Sequence, residues 1–338
     1  MNFISKFFLL LSLSFSPFIS QNISAEIESK MVLPNNPDNG PHEPYYVGEL
    51  GKKWQFPSDH LPRGMSIGNT HIAFWNILNK NYLNHILENT QGLRDSSIMS
   101  DNYPVSGSSN LTVRELISIE MIMGMINHPT HPRSMIALEE AHQDVITYLK
   151  ETLPKNWVIS TPPSQPTSQD VFLYDKKVFE LIGVRAIRYT ENLPKCIFTL
   201  TLMERSTGEI FRFVQSHVPG GPGSDEGCRK FAEEAINQYQ SEETTILMGD
   251  TNAAPSVIQA ALKKASEKAE LGTKPYHYVA IDHPSHMNTY LEAAWIDNFF
   301  IYRKAKMPGK VLPSNDPAEL HEDVAPIVDL MRIYTIQN

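Results

Sequence analysis

The chain has 338 residues, 41% of them hydrophobic, and can therefore bury a large core in one large domain or two small ones. Its net charge of −9 disfavours nonspecific wrapping by a long polyanion such as nucleic acid. The two cysteines, Cys196 and Cys228, exclude a disulfide-rich scaffold and a four-cysteine zinc site. They leave open one disulfide or two separate buried thiols.

The first 25 residues have the pattern of a signal peptide. Lys6 precedes an apolar run over residues 7–19, which is too short to span a bilayer as a helix but fits a signal-peptide core. We predict removal of residues 1–25 and export to the periplasm or the medium, with a retained anchor as the alternative. Residues 26–68 are rich in Pro, Asn and Gly and predict an extended leader, so the folded domain is expected over residues 69–338.

From residue 71 onward, short β-like runs alternate with amphipathic helices. We predict strands over residues 71–77, 135–138, 171–174, 178–184, 197–204, 209–218, 244–249, 296–303 and 327–334. We predict helices over residues 113–127, 141–153, 226–239 and 256–268. Consecutive strands within 171–184 and within 197–218 predict hairpins, which disfavours a purely parallel sheet. Two packed sheets with helices outside fit this pattern better.

Polar side chains recur where the predicted strands end. Asn76, Glu140, Asp250 and Asn252 each follow an apolar run. Side chains at strand ends of layered α/β folds converge on a shared cleft, and carboxylate and amide oxygens suit Mg²⁺ or Mn²⁺ and phosphate chemistry. Each residue also has a plain structural interpretation, as a turn, a helix cap or a helix-dipole charge. His217, on a predicted strand, has the corresponding interpretation of a hydrogen-bonded core histidine.

Five short motifs with these residues occur in the order of the endonuclease/exonuclease/phosphatase superfamily, which the chain resembles from about residue 71 to its C-terminus. The motifs are Phe74-Trp75-Asn76-Ile77-Leu78, Ala137-Leu138-Glu139-Glu140, Gln215-Ser216-His217-Val218, Gly249-Asp250-Thr251-Asn252-Ala253-Ala254-Pro255 and Trp295-Ile296-Asp297-Asn298-Phe299-Phe300. The resemblance implies a DNase I-like fold, a four-layer α/β sandwich of two face-to-face mixed β-sheets flanked by helices.

The resemblance also implies an exported metal-dependent phosphoesterase, acting on a phosphodiester or phosphomonoester in nucleic acid, lipid or a small molecule. Asp250 would activate a water for in-line attack, because a carboxylate within hydrogen-bond reach of the water can accept its proton. Asn252 would position water and phosphate, and His217 would contact the phosphate.

The metal, Mg²⁺ or Mn²⁺, would be held by Glu140, with Asn76 and Asp323 nearby. At its last motif the sequence departs from the superfamily, in which a Ser-Asp-His tripeptide precedes an apolar strand. The matching stretch retains Asp323 but has Val324 at the histidine position. Valine cannot donate to a phosphoryl oxygen, and loss of one such donor costs about 10²- to 10³-fold in rate.

Either another histidine replaces the missing one or activity is reduced, with an exported non-catalytic binding protein as the alternative function. We favour His286 as the substitute, because the predicted loop before Asp297 can reach the cleft. His283 and His321 are the other candidates. Asp297, which the resemblance assigns to orient the missing histidine, would then orient the substitute.

Two His-Pro-x-His pairs suggest a different metal site. Imidazoles are common zinc ligands, and four of them occur in these pairs, at His128, His131, His283 and His286. Their spacing matches no helical zinc motif, however, and histidines beside proline are often turn residues.

Overall fold

The computed structural model describes residues 58–60, 62–67, 70–82, 111–128, 132–163, 169–190, 195–271, 277–278, 286–287, 293–294 and 296–302. The predicted strand over residues 327–334 lies outside this part of the chain. Within it, every helix is too short or too polar to cross a membrane.

The described residues form two large β-sheets, four long helices and one two-stranded ribbon. In chain order, the strands are β1 (Arg63–Ile67), β2 (Thr70–Asn76), β3 (Met135–Glu139), β4 (Trp157–Ser160), β5 (Val171–Asp175), β6 (Phe179–Arg188), β7 (Cys196–Glu204), β8 (Ile210–Ser216), β9 (Thr244–Asp250), β10 (His277–Tyr278), β11 (His286–Met287), β12 (Ala293–Ala294) and β13 (Asp297–Tyr302). The helices are α1 (Val113–Ile126), α2 (Gln143–Thr152), α3 (Ser224–Asn237) and α4 (Pro255–Lys268).

Both large sheets are mixed. The first has the strand order β1-β2-β3-β5-β4, and only β2 and β3 are parallel neighbours in it. The second has the order β10-β13-β9-β8-β7-β6, and only β8 and β9 are parallel neighbours in it. Strands β11 and β12 form the separate ribbon.

The two large sheets face each other across an aromatic core. Phe74 and Phe172 of the first sheet contact Phe299 and Phe198 of the second, with ring centroids 6.3 and 4.8 Å apart. These side chains are all buried. Edge-to-face and tilted aromatic contacts of this kind stabilise a core beyond the area that they bury.

The outer faces of the sheets are covered by helices. In β2, Phe74 points into the core between the sheets, whereas Trp75 points to the other face and packs with α1 and α2. In β9, Met248 likewise points into the core between the sheets, whereas Leu247 points to the other face and packs with α3 and α4. Strands buried on both faces read as continuous apolar runs. The layer order helix, sheet, sheet, helix confirms the predicted four-layer α/β sandwich.

Local signals at the helix ends agree with the structure. Thr112 and Glu115 form a capping box at the start of α1, in which each side chain accepts from the other's backbone N–H. Helix α4 begins at Pro255, where a missing N–H leaves no helical hydrogen bond unmade.

The register of the strands brings the polar strand ends together. Asn76 ends β2 beside Glu139 of its parallel neighbour β3. In the second sheet Asp250 ends β9 directly opposite Asp297, the first residue of β13. The side chain of Gln215 crosses between the sheets and donates to the backbone oxygen of Leu138 at 2.7 Å. Both polar ends therefore lie at the same edge of the sandwich.

The predicted leader over residues 26–68 is wrong at its C-terminal end. Residues 58–60 are buried, and β1 pairs antiparallel with β2 along its whole length. The composition suggested a leader because Pro62 and Gly64 are typical of irregular segments, but residues 63–67 form a strand of the first sheet. The packed domain begins at least ten residues before the predicted boundary of residue 69.

One of the two predicted hairpins is also wrong. Strands β7 and β8 do form a hairpin, as predicted for residues 197–218. Strands β5 and β6 do not pair with each other, because β5 belongs to the first sheet and β6 to the second. The short turn between them carries the chain from one sheet to the other. Strand β4, which the sequence analysis did not predict, pairs with β5 instead.

The two cysteines are buried and form no disulfide. The thiol of Cys196 donates to Asp170 and that of Cys228 to the backbone oxygen of Thr251, each at 3.7 Å. Burial raises the pKa of the Cys228 thiol to about 11, so it stays neutral. Of the two alternatives, the structure has the pair of separate thiols.

Candidate active site

Asp250 lies at the centre of a cluster of polar side chains at the edge of the sandwich. Its Oδ1 accepts a hydrogen bond from the backbone N–H of Asn252 at 2.9 Å. Its Oδ2 faces Nδ2 of Asn76 at 3.4 Å, Nε2 of His217 at 3.5 Å and Nε2 of His60 at 3.7 Å. The first sheet, the second sheet and the segment before β1 all contribute to this contact.

Glu140 follows β3 and turns into the cluster. Its φ of 57° is in the left-handed region, which for a residue with a side chain is strained and often marks a functional site. Its Oε2 accepts from the backbone N–H of Asn79 at 3.1 Å, and its Oε1 lies 3.5 Å from Nδ1 of His217. Burial, and then the charge of Asp59, raise the pKa of Glu140 to about 7.

His217 bridges the two carboxylates. It follows β8 and is buried, with Nδ1 toward Glu140 and Nε2 toward Asp250. The ammonium of Lys195 lies 2.5 Å from Nε2. Burial, Lys195 and His60 lower the pKa of His217 well below its ordinary value, so the ring is neutral. The position between two acidic groups is not that of an ordinary core histidine.

Asn252 is held in a turn that follows β9. Its φ of 47° is left-handed, and its side chain donates to the backbone oxygen of Val218 at 2.8 Å. The neighbouring residue Thr251 is fixed by the buried amide of Asn298, which donates to its hydroxyl at 2.7 Å and to the backbone oxygen of Ala253 at 3.2 Å. The turn is thus tied to β8 on one side and to β13 on the other.

The imidazole beside Asp297 belongs to His60, which the sequence analysis did not consider. Its Nδ1 lies 2.9 Å from Oδ2 of Asp297, and its Nε2 faces Asp59 and Asp250 at 3.8 and 3.7 Å. Burial by itself lowers the pKa of His60, but the charges of Asp297, Asp59 and Asp250 outweigh it and raise the pKa to about 10. In the metal-free cluster the ring is therefore an imidazolium.

Backbone contacts fix the segment that carries His60. The hydroxyl of Ser58 donates to the backbone oxygen of Asn76 at 2.7 Å and accepts from the backbone N–H of His60 at 3.1 Å. The indole of Trp75 donates to the backbone oxygen of His60 at 2.9 Å. Because β1 runs antiparallel to β2, the residues before β1 reach the end of β2, where Asn76 lies.

The sequence contained a signal for this segment. Ser58-Asp59-His60 has the sequence of the Ser-Asp-His tripeptide that the resemblance implies before a strand, and β1 begins three residues after it. In this chain the tripeptide precedes the first of the five motifs, whereas the resemblance predicts it after the last one. Its three residues are consecutive, so the tripeptide is readable in the sequence when the order of the motifs is disregarded.

Several predicted residues lie outside the described part of the chain. These are Asp323, Val324, His321, His283 and His131, and for His286 only the backbone, in β11, is described. His286 as a substitute donor stays a prediction, as does the four-histidine zinc site. His128 lies between α1 and β3, ahead of the start of β3, whereas the cluster lies beyond its end.

The buried carboxyl of Glu139 holds the backbone of Asp250 in place. Oε2 of Glu139 accepts from the backbone N–H of Asp250 at 3.1 Å, which ties the first sheet to the end of β9. Burial, followed by the charges of Asp170 and Asp250, raises the pKa of Glu139 well above its ordinary value. Gly249 allows the backbone of β9 to lie close to that of β8. A Cβ at residue 249 would lie 2.1 Å from the backbone oxygen of Ser216, and the φ of Gly249 is +149°.

The donor set of the cluster fits a divalent cation. Asp59, Glu140 and Asp250 are buried carboxylates, and the charge of Asp59 contributes to the raised pKa of Glu140. Hard oxygen donors with excess negative charge are what Mg²⁺ or Mn²⁺ prefers. His60, Asp250 and Asp297 also each bring one ligand atom within 4.8 Å of the others, a group that could hold a metal. Nδ1 of His60 is occupied by Asp297, however, which leaves the carboxylates as the better donors.

The chain is similar to a set of solved structures. An endonuclease/exonuclease/phosphatase from Bacteroides vulgatus is 14% identical with a TM-score of 0.47, over 78% of this chain and 96% of that one. A mannosyl-6-phosphatase from Bacteroides thetaiotaomicron is 13% identical with a TM-score of 0.46, over 68% and 84%. The catalytic domain of human Nocturnin, with bound sulfate, is 15% identical with a TM-score of 0.42, over 72% and 86%.

Proteins named endonuclease/exonuclease/phosphatase thus occur among the similar structures. No protein-family model matches the sequence, and no curated protein matches it.

Proposed function

We propose that the protein is an exported metal-dependent phosphoesterase that hydrolyses a phosphodiester or phosphomonoester with a metal-activated water. One observation carries the proposal. The carboxylates of Glu140 and Asp250 meet two imidazoles, of His217 and His60, in one buried cluster at the sandwich edge. An arrangement of metal-binding acids beside hydrogen-bond donors is what phosphoryl transfer requires.

Glu140, Asp59 and Asn76 would hold the metal. When bound, a divalent cation polarises a phosphoryl oxygen and lowers the pKa of a water. Asp59 takes the part that the resemblance assigned to Asp323, because it stands in the Ser-Asp-His tripeptide and its charge acts on Glu140. The oxygen of the Asn76 side chain also accepts from the backbone N–H of Leu78 at 3.1 Å, which fixes its orientation.

Asp250 is the proton acceptor. Its Oδ1 is occupied by the backbone N–H of Asn252, so the carboxylate cannot rotate freely and Oδ2 is directed into the cluster. Because the carboxylate is already oriented, no further orientational entropy is lost when the water attacks. The side-chain N–H₂ of Asn252 is bound to Val218 through one hydrogen and retains a second for a phosphoryl oxygen.

His60 supplies a hydrogen-bond donor where the phosphoryl group becomes more negative. Asp297 holds Nδ1, so the opposite nitrogen, Nε2, carries its proton toward Asp250 and the cluster. A preorganised donor of this kind contributes about 10²- to 10³-fold in rate. Together, His60 and His217 place two imidazoles beside Asp250, with their Nε2 atoms 3.7 and 3.5 Å from its Oδ2.

The alternative is an exported binding protein without catalytic activity. Val324 was its motivation, since it suggested that a donor was missing. His60 lies beside Asp297, where that donor is required, so Val324 no longer distinguishes the two functions. We expect Val324→His to change activity little, because one extra donor helps only where none is present.

The test is hydrolysis by the mature protein supplied with Mg²⁺ or Mn²⁺. A panel of DNA, RNA, sphingomyelin, phosphoinositides, nucleotides and sugar phosphates covers the three substrate classes. Asp250→Asn removes the proton acceptor at constant volume and should lower turnover at least about 10²-fold with little change in Tm. Asp225→Asn, at an exposed position in the first turn of α3, is the control for loss of one charge.

Two results would count against the proposal. An Asp250→Asn protein that keeps wild-type turnover would exclude the assigned base. A folded, metal-loaded wild type that hydrolyses nothing on the panel would favour the binding protein. Export is tested separately, by mass spectrometry of the secreted or periplasmic chain, which should begin after residue 20 and by residue 26.

A further inference from the structure

Lys195 is a cation of the cluster that the proposed mechanism does not use. It immediately precedes β7, and its side chain is half-buried while its neighbours in the cluster are buried. Its Nζ lies 2.5 Å from Nε2 of His217, so the ammonium is directed into the site rather than to solvent. Lysine side chains at a protein rim usually extend into water, where the ammonium is well hydrated.

The ammonium of Lys195 has no carboxylate within ion-pair distance among the described residues. Lys80 and Arg212, for comparison, each lie 2.7 Å from a carboxylate oxygen, whereas the contact of Lys195 is a neutral imidazole. Its charge does act over a longer distance, lowering the pKa values of Glu140 and Asp170 from what burial would give. A partly buried cation without an acidic partner is suited to bind an anion.

The position of this cation relates it to phosphate. Lys195 donates to Nε2 of His217, the same nitrogen that faces Oδ2 of Asp250 at 3.5 Å. A phosphoryl group that contacts both Asp250 and His217 would therefore be within reach of the Lys195 ammonium. The three donors of an ammonium allow it to bind a phosphoryl oxygen and an imidazole together.

We propose that Lys195 contacts a non-bridging phosphoryl oxygen and makes the site prefer a terminal, dianionic phosphate over a phosphodiester. The inference deepens the proposed function and rests on it for the identity of the ligand. At neutral pH a phosphomonoester carries close to two negative charges and a diester one. A cation in a cleft of low dielectric attracts the greater charge more strongly. The preferred substrate class is therefore the phosphomonoester.

Calorimetric titration of the Mg²⁺-supplied protein at pH 8 tests this without turnover, with inorganic phosphate as the dianionic probe and dimethyl phosphate as the monoanionic one. Lys195→Met should weaken phosphate binding about 10- to 100-fold, the loss expected for one charge-assisted hydrogen bond. Binding of dimethyl phosphate should weaken by a smaller factor. Lys195→Arg should retain most of the phosphate affinity, because it keeps the charge.

Lys263→Met is the matched control, since Lys263 is exposed on α4 and lies 4.0 Å from Glu267. It removes the same charge and should leave both affinities unchanged. Equal weakening for the two probes in Lys195→Met, or no weakening, would overturn the proposal. So would a loss in Lys195→Arg as large as that in Lys195→Met. Wild-type protein that binds phosphate selectively but hydrolyses nothing would contradict the proposed function and leave this inference standing.

Discussion

The imidazole of His60 and the carboxylate of Asp297 form a buried pair, with Nδ1 2.9 Å from Oδ2, although 237 positions separate them in the chain. Neither side chain has more than 6% of its surface exposed. The pair joins the segment before the first strand to the last described strand. It meets the rest of the cluster at Nε2 of His60, which lies 3.7 Å from Oδ2 of Asp250.

This pair predicts a pH dependence of the metal-free protein. The pKa of His60 is raised from 6.5 to about 10, so the imidazolium stabilises the fold fully below pH 6.5 and that stability is lost as the pH rises through about 10. Asp297→Asn removes the negative charge that raises the pKa of His60 most, while the burial that lowers this pKa remains. The substitution should therefore lower the pKa of His60 by several units. NMR titration of the histidine ring protons and unfolding at several pH values measure both effects.

In this titration Asp225→Asn is the control, because it removes a carboxylate from the exposed start of α3. It should leave the titration of His60 unchanged. If the pKa of His60 in Asp297→Asn stayed near 10, the assigned pairing would be incorrect.

Asp59, rather than Asp323, is expected to support the metal. Asp59→Asn should weaken Mg²⁺ or Mn²⁺ binding at least about 10-fold, because a hard anionic donor becomes a neutral amide. Asp323→Asn should leave the affinity within about twofold. Isothermal titration calorimetry on the two variants compares the positions directly, and the reverse ranking would restore the role that the resemblance gave to Asp323.

Glu140 predicts how metal affinity depends on pH. Its pKa is raised to about 7, so below that pH the carboxyl is protonated and cannot ligate a cation. Mg²⁺ affinity should therefore rise as the pH increases from 6 to 8. Glu140→Gln should bind the metal much more weakly and lose most of this rise, with the fold nearly unchanged.

The surface change Glu267→Gln, on α4, is the control for Glu140 because it removes one carboxylate at a distance from the cluster. Its pH profile should match that of the wild type. Equal Mg²⁺ affinity in the wild type and in Glu140→Gln would remove Glu140 from the ligand set.

Gly249 is expected to be required for folding. In Gly249→Ala the new Cβ would meet the backbone oxygen of Ser216 at 2.1 Å, at a φ of +149°. Strain of this kind, with a forced backbone shift, should lower the free energy of unfolding by about 3 kcal/mol or more. Gly183→Ala in β6 is the matched control, because no atom lies within 4 Å of its Cβ. It should be neutral or stabilise by up to about 1 kcal/mol in chemical denaturation. Similar stabilities for the two variants would contradict the close approach.

The sequence by itself determined the layers and most of the strand ends. Strands and helices leave local patterns that side-chain periodicity sets. These patterns are apolar runs of strand length, such as the one before Asp250, and the amphipathic helices between them. They located α1 to α4 and eight of the strands to within a few residues. The motifs around Asn76, Glu140, His217 and Asp250 were also readable, because each is contained within a few consecutive residues.

The tertiary structure decided what depends on contacts between distant segments. Periodicity does not say which sheet a strand joins, so the crossing from β5 to β6 read as a hairpin. Composition does not reveal burial, so the segment before β1 read as a leader although the end of β2 covers it. His60 acquires its partner and its raised pKa only when β1 and β13 bring it to Asp297. The tripeptide that contains His60 is readable in the sequence, but sequence separation places no bound on distance in a folded chain, so only packing shows that this histidine meets Asp297.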